Sequence, residues 1–262
     1  VGIEARLGGN NLISRIAEAD ESRSVRYAAV IRVVNAKCRD YFAAKYGPAV
    51  PGLEAKMHVI PIPVDITKYR RKTNFDFKNP SIVFAGRYHR WQGLEELIES
   101  LSLSSLPGAT LNLYMGNVPP HIAAMIRDGK SRIRVKQSFL PHDEFLSVLP
   151  ENDIFVIPRP SNPVNEITVP IKLVEAMCCG LPIVATSVGG VTEYLRHKET
   201  GYLVKPDEPR ALAEGIAEVM GNPRLAREMG ENARQFAEQT FDSRIVAQRI
   251  KGVLEDARTK RG

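Results

Sequence analysis

From residue 81 onward, short runs rich in Val and Ile alternate with amphipathic stretches of helical length, and few folds can satisfy that alternation. SIVFAG, TLNLYMG, RIRVKQSF, DIFVIPR, PIVATSVGG and GYLVKP read as strands. GLEELIESLSL, PHIAAMIRDG, HDEFLSVLP, TVPIKLVEAMCCG and GVTEYLRH read as the helices between them. Strands that are hydrophobic on both sides must be covered on both faces. A helix after each strand returns the chain for parallel pairing through right-handed crossovers. The expectation is a doubly wound parallel sheet of the α/β class. From Glu208 the chain reads as helical, with breaks at Gly221-Asn222-Pro223 and near Phe241-Asp242.

Ahead of this unit, AAVIRVV has strand length, Asn35 is placed to cap a helix running to Tyr46, and Gly47-Pro48 stops it. MHVIPIP is a second short strand, broken by Pro61 and Pro63. Residues 64–80 contain turn formers and no sustained period, which marks a connector between domains. The chain opens with Val1 rather than Met and reads as an excerpt from a longer protein or a processed product.

Composition removes several classes. With 44% hydrophobic and 25% charged residues the chain suits a soluble globular protein. Its apolar runs fall far short of a membrane span, and its first residues lack a basic region followed by a hydrophobic one, so a cytoplasmic location is expected. Three cysteines, two of them adjacent at Cys178 and Cys179, give neither a disulfide framework nor a metal-ligand spacing. The five histidines include no pair at helical spacing, and no protein-held metal is expected. The net charge of +6 resides in residues 1–72, which hold 13 Lys and Arg against 7 Asp and Glu. Those charges are dispersed and carry no aromatic-plus-glycine RNA signature, which argues against nucleic acid.

Ligands of open parallel sheets collect beyond the carboxyl ends of the strands, where helix N-termini present free N–H groups. The loops after the strands therefore hold the chemistry. After SIVFAG, Gly86 permits close backbone approach and Arg87 is the first side chain past the strand. Gly116-Asn117 follows the second strand, Phe139 and Leu140 the third, PSNPVNEITV the fourth, and Gly189-Gly190 the fifth. A guanidinium, glycines and a proline-started helix suit an anion with several oxygens, such as a phosphate. Gly189-Gly190 also fits a simple tight turn.

If TVPIKLVEAMCCG is helical from its proline to its glycine, Thr168, Lys172 and Glu175 share one face and Ile171, Val174 and Cys178 another. A carboxylate beside a phosphate would be repelled, whereas it can accept hydrogen bonds from the vicinal hydroxyls of a ribose. Glu175 should lie about 8 to 10 Å from the helix start, at about 1.5 Å per residue. A phosphate at the helix start with a ribose alongside spans that gap, so a nucleotide or nucleotide derivative is expected. A dehydrogenase would need G-x-G-x-x-G after the first strand, where GRYHRWQG stands, and a Walker loop is equally absent.

The chain resembles the retaining glycosyltransferases of family 4, also called group 1, whose GT-B fold pairs two Rossmann-like domains. The matching segments are VIPIPVD, VFAGRYHRWQGLEELIESL, FLPHDEFLSVLPENDIFVIP, VPIKLVEAMCCGLPIVATSVGGVTEYL and TGYLVKPDEPRALAEGI, from about residue 58 to residue 218. The resemblance implies a Rossmann-like donor-binding domain at 81–240, a remnant of the N-terminal acceptor-side domain at 1–63, a connector at 64–80, and a crossing C-terminal helix at 241–262. The crossing helix, left without that domain, should expose apolar surface. The resemblance also implies a nucleoside diphosphate sugar as donor, no tightly bound cofactor, and a sugar, lipid-linked or polysaccharide acceptor, with peripheral contact at the inner face of a membrane. By the same resemblance, Arg87 holds the diphosphate, Glu175 binds the ribose hydroxyls, and the nucleobase lies against the backbone near Phe139 and Leu140. Gly86, Val169 and Pro170 lie beside the phosphates and the sugar, and Lys172 pairs with Glu175, approaches the donor or is a plain surface residue.

Two departures from the family pattern stand out. Gln92 occupies the place of a customary Lys, so one positive charge is absent unless Arg90 replaces it. Of the family's paired acids eight positions apart, the first is missing, because residue 167 is Ile. Either Glu166 shifts register to reach the sugar, as a catalytic group beside Arg87, or Thr168 and the helix amides take its place. Two other functions share the pattern: a nucleotide-sugar 2-epimerase of the same architecture, and a non-catalytic nucleotide-sugar binding module.

Overall fold

The computed structural model describes residues 12–103, 106, 108–128 and 134–259. The N-terminal part comprises α1 (Leu12–Tyr27), β1 (Ile31–Val33), α2 (Ala36–Tyr46), α3 (Leu53–Lys56) and β2 (Met57–Val59). Asn35 caps α2 as its sequence suggests: its backbone is extended and its side chain accepts from Cys38 N at 2.6 Å. Strands β1 and β2 pair in parallel, Ile31 opposite Met57. Val25, Val33, Tyr46, Leu53 and Met57 form a small core beneath them.

The larger unit follows the predicted alternation. Its elements are β3 (Ser81–Ala85), α4 (Leu94–Leu103), β4 (Thr110–Tyr114), α5 (Pro120–Asp128), β5 (Arg134–Ser138), α6 (His142–Val148), β6 (Ile154–Ile157), α7 (Pro163–Ile167), α8 (Ile171–Cys179), β7 (Ile183–Thr186), α9 (Gly189–Thr192) and β8 (Tyr202–Val204). Helices α10 (Pro209–Gly221), α11 (Pro223–Thr240) and α12 (Ser243–Thr259) complete it. The six strands are all parallel, in the order β5-β4-β3-β6-β7-β8. The chain winds outward from β3 in one direction, returns to β6 and winds in the other. A crevice therefore opens between the carboxyl ends of β3 and β6, where the winding reverses.

Burial of both sheet faces explains why the central strands β3, β6 and β7 are continuously apolar. Ile82, Phe84, Leu111 and Leu113 pack with α4 and α10 on one side, while Val83, Phe155 and Ile183 pack with α8 and α11 on the other. Each such side chain is buried, which contributes about 1.5–3 kcal/mol. β5 is an edge strand with mostly exposed side chains, and its Arg134 and Lys136 discourage pairing with another chain. The first two residues of its predicted run lie outside the described residues, as do residues 1–11 and 260–262 of the predicted N-terminal remnant and crossing helix.

Two local readings, those of PSNPVNEITV and GVTEYLRH, are corrected. The segment 64–80 is strapped to the core, because its polar groups find buried partners. Lys72 Nζ lies 3.0 Å from Asp153 Oδ1 with both side chains buried, and Asp153 also accepts from Asp76 N and Ser81 N at the start of β3. Arg234 donates to the carbonyls of Tyr69 and Cys178, tying the same segment to the end of α8. PSNPVNEITV contains a helix, α7, since Asn162 caps it and Pro163 sits at its first turn. GVTEYLRH yields only one helical turn, α9.

The two parts touch near the crevice. Asn35 Nδ2 donates to Ile167 O at 3.2 Å, Ala36 N to Glu193 Oε1 at 3.1 Å, and the Tyr194 hydroxyl to Val34 O. Val64 N donates to Phe241 O at 2.8 Å and Ser243 N to Val64 O at 2.9 Å, so α12 starts against the end of the N-terminal part. On the outer flank of α12, Leu254 is 56% exposed beside Ala247 and Ile250. No helix among the described residues is long and apolar enough to cross a membrane.

Candidate functional site

Two adjoining cavities of about 440 and 450 Å³ lie at the carboxyl ends of β3, β4 and β6, and Ala85, Gly86, Arg87 and Lys172 line both. The first is completed chiefly by His89, Trp91, Gln92, Arg159, Pro170 and Ile171. The second runs past Tyr114, Gly116, Phe139, Leu140, His142 and Phe145. Among the described residues they carry three cations, Arg87, Arg159 and Lys172, and no Asp or Glu. A groove of one sign with apolar walls concentrates field and draws in anions.

Each cation is placed by a strand end or a helix start. Gly86 turns the chain out of β3 at φ 153°, and its N–H still pairs with Tyr114 O at 3.1 Å. That left-handed backbone favours glycine. It delivers the exposed side chain of Arg87, which makes no ion pair among the described residues, into the junction of the cavities. Pro170 precedes α8 and no side chain of the described residues caps the helix, so the first-turn amides of Ile171 and Lys172, two residues that line the first cavity, are left without a side-chain acceptor.

Glu175 borders the groove from behind. Its side chain is 2% exposed, with Oε2 at 2.8 Å from Lys172 Nζ and Oε1 at 3.8 Å from His142 Nε2. Oε2 accepts no directed hydrogen bond, so the Lys172 contact is ionic. Lys172 pairs with Glu175, and it also lines both cavities, its ammonium 4.2 Å from the Phe145 ring centre. Because α8 begins at Ile171, Glu175 is four residues along it, roughly 6 Å at about 1.5 Å per residue, and not 8 to 10 Å.

Of the residues singled out in the sequence, Gly86, Arg87, Gln92, Phe139, Leu140, Pro170 and Lys172 line the cavities. Arg90, Glu166, Thr168 and Val169 line neither. Thr168 does not share the face of Lys172 and Glu175, because it ends α7, donating to Val164 O at 2.7 Å and accepting from Arg159 Nη1 at 3.2 Å. Ile171, assigned to the apolar face of α8, is 40% exposed at its first turn. Glu166 Oε2 accepts from Gly189 N at 2.8 Å. Arg90 lies in a short 3-10 turn, Arg90–Gln92, which turns only Trp91 and Gln92 to the cavity. Val169 packs against the core.

Gly189-Gly190 serves close packing. A Cβ on Gly190 would lie 1.9 Å from Thr168 O, and one on Gly189 2.4 Å from Glu166 O. Gly190→Ala must push α9 away from the loop that opens α8. The expected destabilisation is about 1–3 kcal/mol, measured as a lower thermal midpoint.

Arg159, His89, Trp91 and His142 escaped the sequence reading. Arg159 had a signal: it is the first charged side chain past DIFVIP, as Arg87 is past SIVFAG. It is held by Asn165 Oδ1 at 3.2 Å and by Thr168, and burial without a carboxylate partner pulls its guanidinium down to about 10. His89 stacks on Trp91 with ring centres 4.2 Å apart, forming one wall of the first cavity. Among the described residues no three His, Cys, Asp or Glu side chains gather where a metal ion could bind.

A six-stranded, doubly wound sheet with a cationic crevice at its reversal point defines a Rossmann-like domain of the GT-B type. The chain belongs to the glycosyl transferases group 1, whose family model matches residues 65–236. Glycogen synthase of Mycobacterium tuberculosis is 25% identical over 241 residues, covering 90% of this chain and 56% of that one. The chain thus spans about half the length of that relative. Sucrose-phosphate synthase from Thermosynechococcus elongatus superposes with a TM-score of 0.77 at 21% identity, over 92% of this chain and 61% of its own. Anabaena HepE, in complex with UDP and glucose, does so with a TM-score of 0.76 at 22% identity, over 88% and 64%. At such identities these two likenesses bear on the fold alone.

Proposed function

We propose that this chain is the donor-binding part of a retaining glycosyltransferase of family 4, which moves a sugar from a nucleoside diphosphate sugar to a hydroxyl acceptor. The observation that carries this reading is the groove lined by three cations and no acid, with one buried carboxylate at its edge. Arg87 and the α8 amides meet the diphosphate and stabilise the charge that grows on it as the sugar departs. Glu175 accepts from the ribose hydroxyls once Lys172 swings toward the phosphates, and the base lies along Phe139 and Leu140. Family membership supports a nucleotide donor. Residues 1–63 belong to the acceptor-side domain, the rest of which completes the cleft, and this chain alone does not turn over. The enzyme works in the cytoplasm, at the inner membrane face, on sugar, lipid-linked or polysaccharide acceptors.

A thermal-shift screen of the 262-residue chain against UDP, GDP, ADP and dTDP tests this reading. At 100 times its Kd, one of them should add about 2.7 kcal/mol of stability. No shift with any of the four, at millimolar concentration, contradicts a nucleotide donor.

A further inference from the structure

Arg159 is the cation in the crevice that the reading above leaves without a task. It leaves the end of β6 directly across the reversal point from β3, whose end carries Arg87, and both side chains line the first cavity. Among the described residues all three hydrogen bonds of its side chain are made by Nη1, to Asn165 Oδ1, Thr168 Oγ1 and Thr168 O. Those acceptors are neutral. Among the described residues Nε and Nη2 make no hydrogen bond and no carboxylate lies within ion-pair distance, although Glu166 is only one residue from Asn165. Glu166 is instead turned toward Gly189 N.

Arg159 is half-buried where it lines the first cavity, and a guanidinium partly removed from water without a counter-charge is costly unless something supplies that charge. Its anchors explain how it is aimed. Asn165 is fully buried and donates to Trp91 O at 2.8 Å and Pro160 O at 2.7 Å, which leaves its Oδ1 to receive Arg159. The fork is thereby fixed through one nitrogen, and the remaining donors stay available for a planar pair of oxygens.

We propose that Arg159 is the counter-charge for a second anionic group of the donor, separate from the one that Arg87 meets. This rests on the reading of the crevice as a nucleotide-sugar site. Two groups have the required chemistry, the phosphate next to the sugar and a carboxylate on the sugar itself. Either would place paired oxygens between Arg159 and the first-turn amides of α8. Arg159 then determines that the crevice prefers a doubly anionic donor over a nucleoside monophosphate.

The test is calorimetry on wild type, Arg159→Gln and Arg159→Lys. UDP, GDP, ADP and dTDP are titrated first, then the monophosphate of whichever one binds, and its hexose and hexuronate derivatives. A loss of tenfold or more with Arg159→Gln for the diphosphate, with the monophosphate changed less than twofold, assigns Arg159 to the outer phosphate. A loss confined to the hexuronate derivative assigns it to the sugar carboxylate. Arg159→Lys keeps the charge without the fork and should lose less than the Gln variant; it is also the variant to measure if Arg159→Gln melts. Equal loss for monophosphate and diphosphate would mean that Arg159 acts only by holding Asn165 and Thr168, which overturns the proposal. Unchanged binding of every ligand overturns it as well, while leaving the nucleotide reading intact. Failure of wild type to bind any of the four diphosphates overturns both.

Discussion

Glu175→Ala weakens nucleoside diphosphate binding about 100-fold and leaves inorganic pyrophosphate within about twofold of wild type. The expected size follows from two hydroxyl donors on one carboxylate, each hydrogen bond to a charged group being worth about 1.5–3 kcal/mol. Tenfold in affinity corresponds to about 1.4 kcal/mol. The asymmetry follows from position. Glu175 stands behind Lys172 and His142, roughly 6 Å along α8 from its first-turn amides, so pyrophosphate held at the helix start does not reach it. Removing the carboxylate also frees the Lys172 ammonium, which is 26% exposed and can turn to solvent or to a phosphate, so the fold should survive. Glu175→Gln keeps the size of the side chain and should lose less than the alanine variant. Isothermal calorimetry with both ligands is the measurement, and equal losses for the two would remove the ribose from Glu175.

Arg87→Ala has the complementary signature. Affinity for nucleoside diphosphate and for pyrophosphate should both fall by at least tenfold, while binding of the free nucleoside stays level. Arg87 is exposed, makes no ion pair among the described residues and lies at the junction of the two cavities, so its loss disturbs no packing. A charge-assisted pair with phosphate, worth about 1.5–3 kcal/mol, sets the expected range. Because part of the attraction is long-range, the gap between wild type and variant should narrow as salt rises from 0.01 to 1 M, where the Debye length falls from about 30 to 3 Å. Unchanged diphosphate binding in the variant removes Arg87 from the site.

The centre of the sheet was legible because β3, β6 and β7 had to be apolar on both faces. Ile82 and Val83 are adjacent in sequence yet belong to cores on opposite sides of the sheet. Asn35, Gly180 and the Gly221-Asn222-Pro223 break were legible because caps and breakers act locally. What local pattern could not reveal depends on partners distant in sequence. Lys72 reads as part of a basic run, and only Asp153, brought beside it by the β3–β6 pairing, makes it a buried strap. Thr168 reads as the first polar position of α8, and its true neighbours are α7 and Arg159.

The site was partly legible for the same reason. Arg87 follows a strand directly and could be placed by counting. Arg159 follows another strand in the same way but is flanked by prolines at 158 and 160, and its turn back over Asn165 has no local signature. Glu175 could be put on α8, whereas the ionic contact from Lys172 that covers it depends on how the Lys172 side chain is packed over Phe145.

The direct measurement is a crystal structure of this chain with its preferred nucleoside diphosphate bound. The account predicts phosphate oxygens within hydrogen-bond distance of the Arg87 guanidinium and the α8 amides. It also predicts both ribose hydroxyls on the Glu175 carboxylate, with Lys172 turned away from it. A nucleotide lying elsewhere, or bound in the groove with its ribose clear of Glu175, contradicts it.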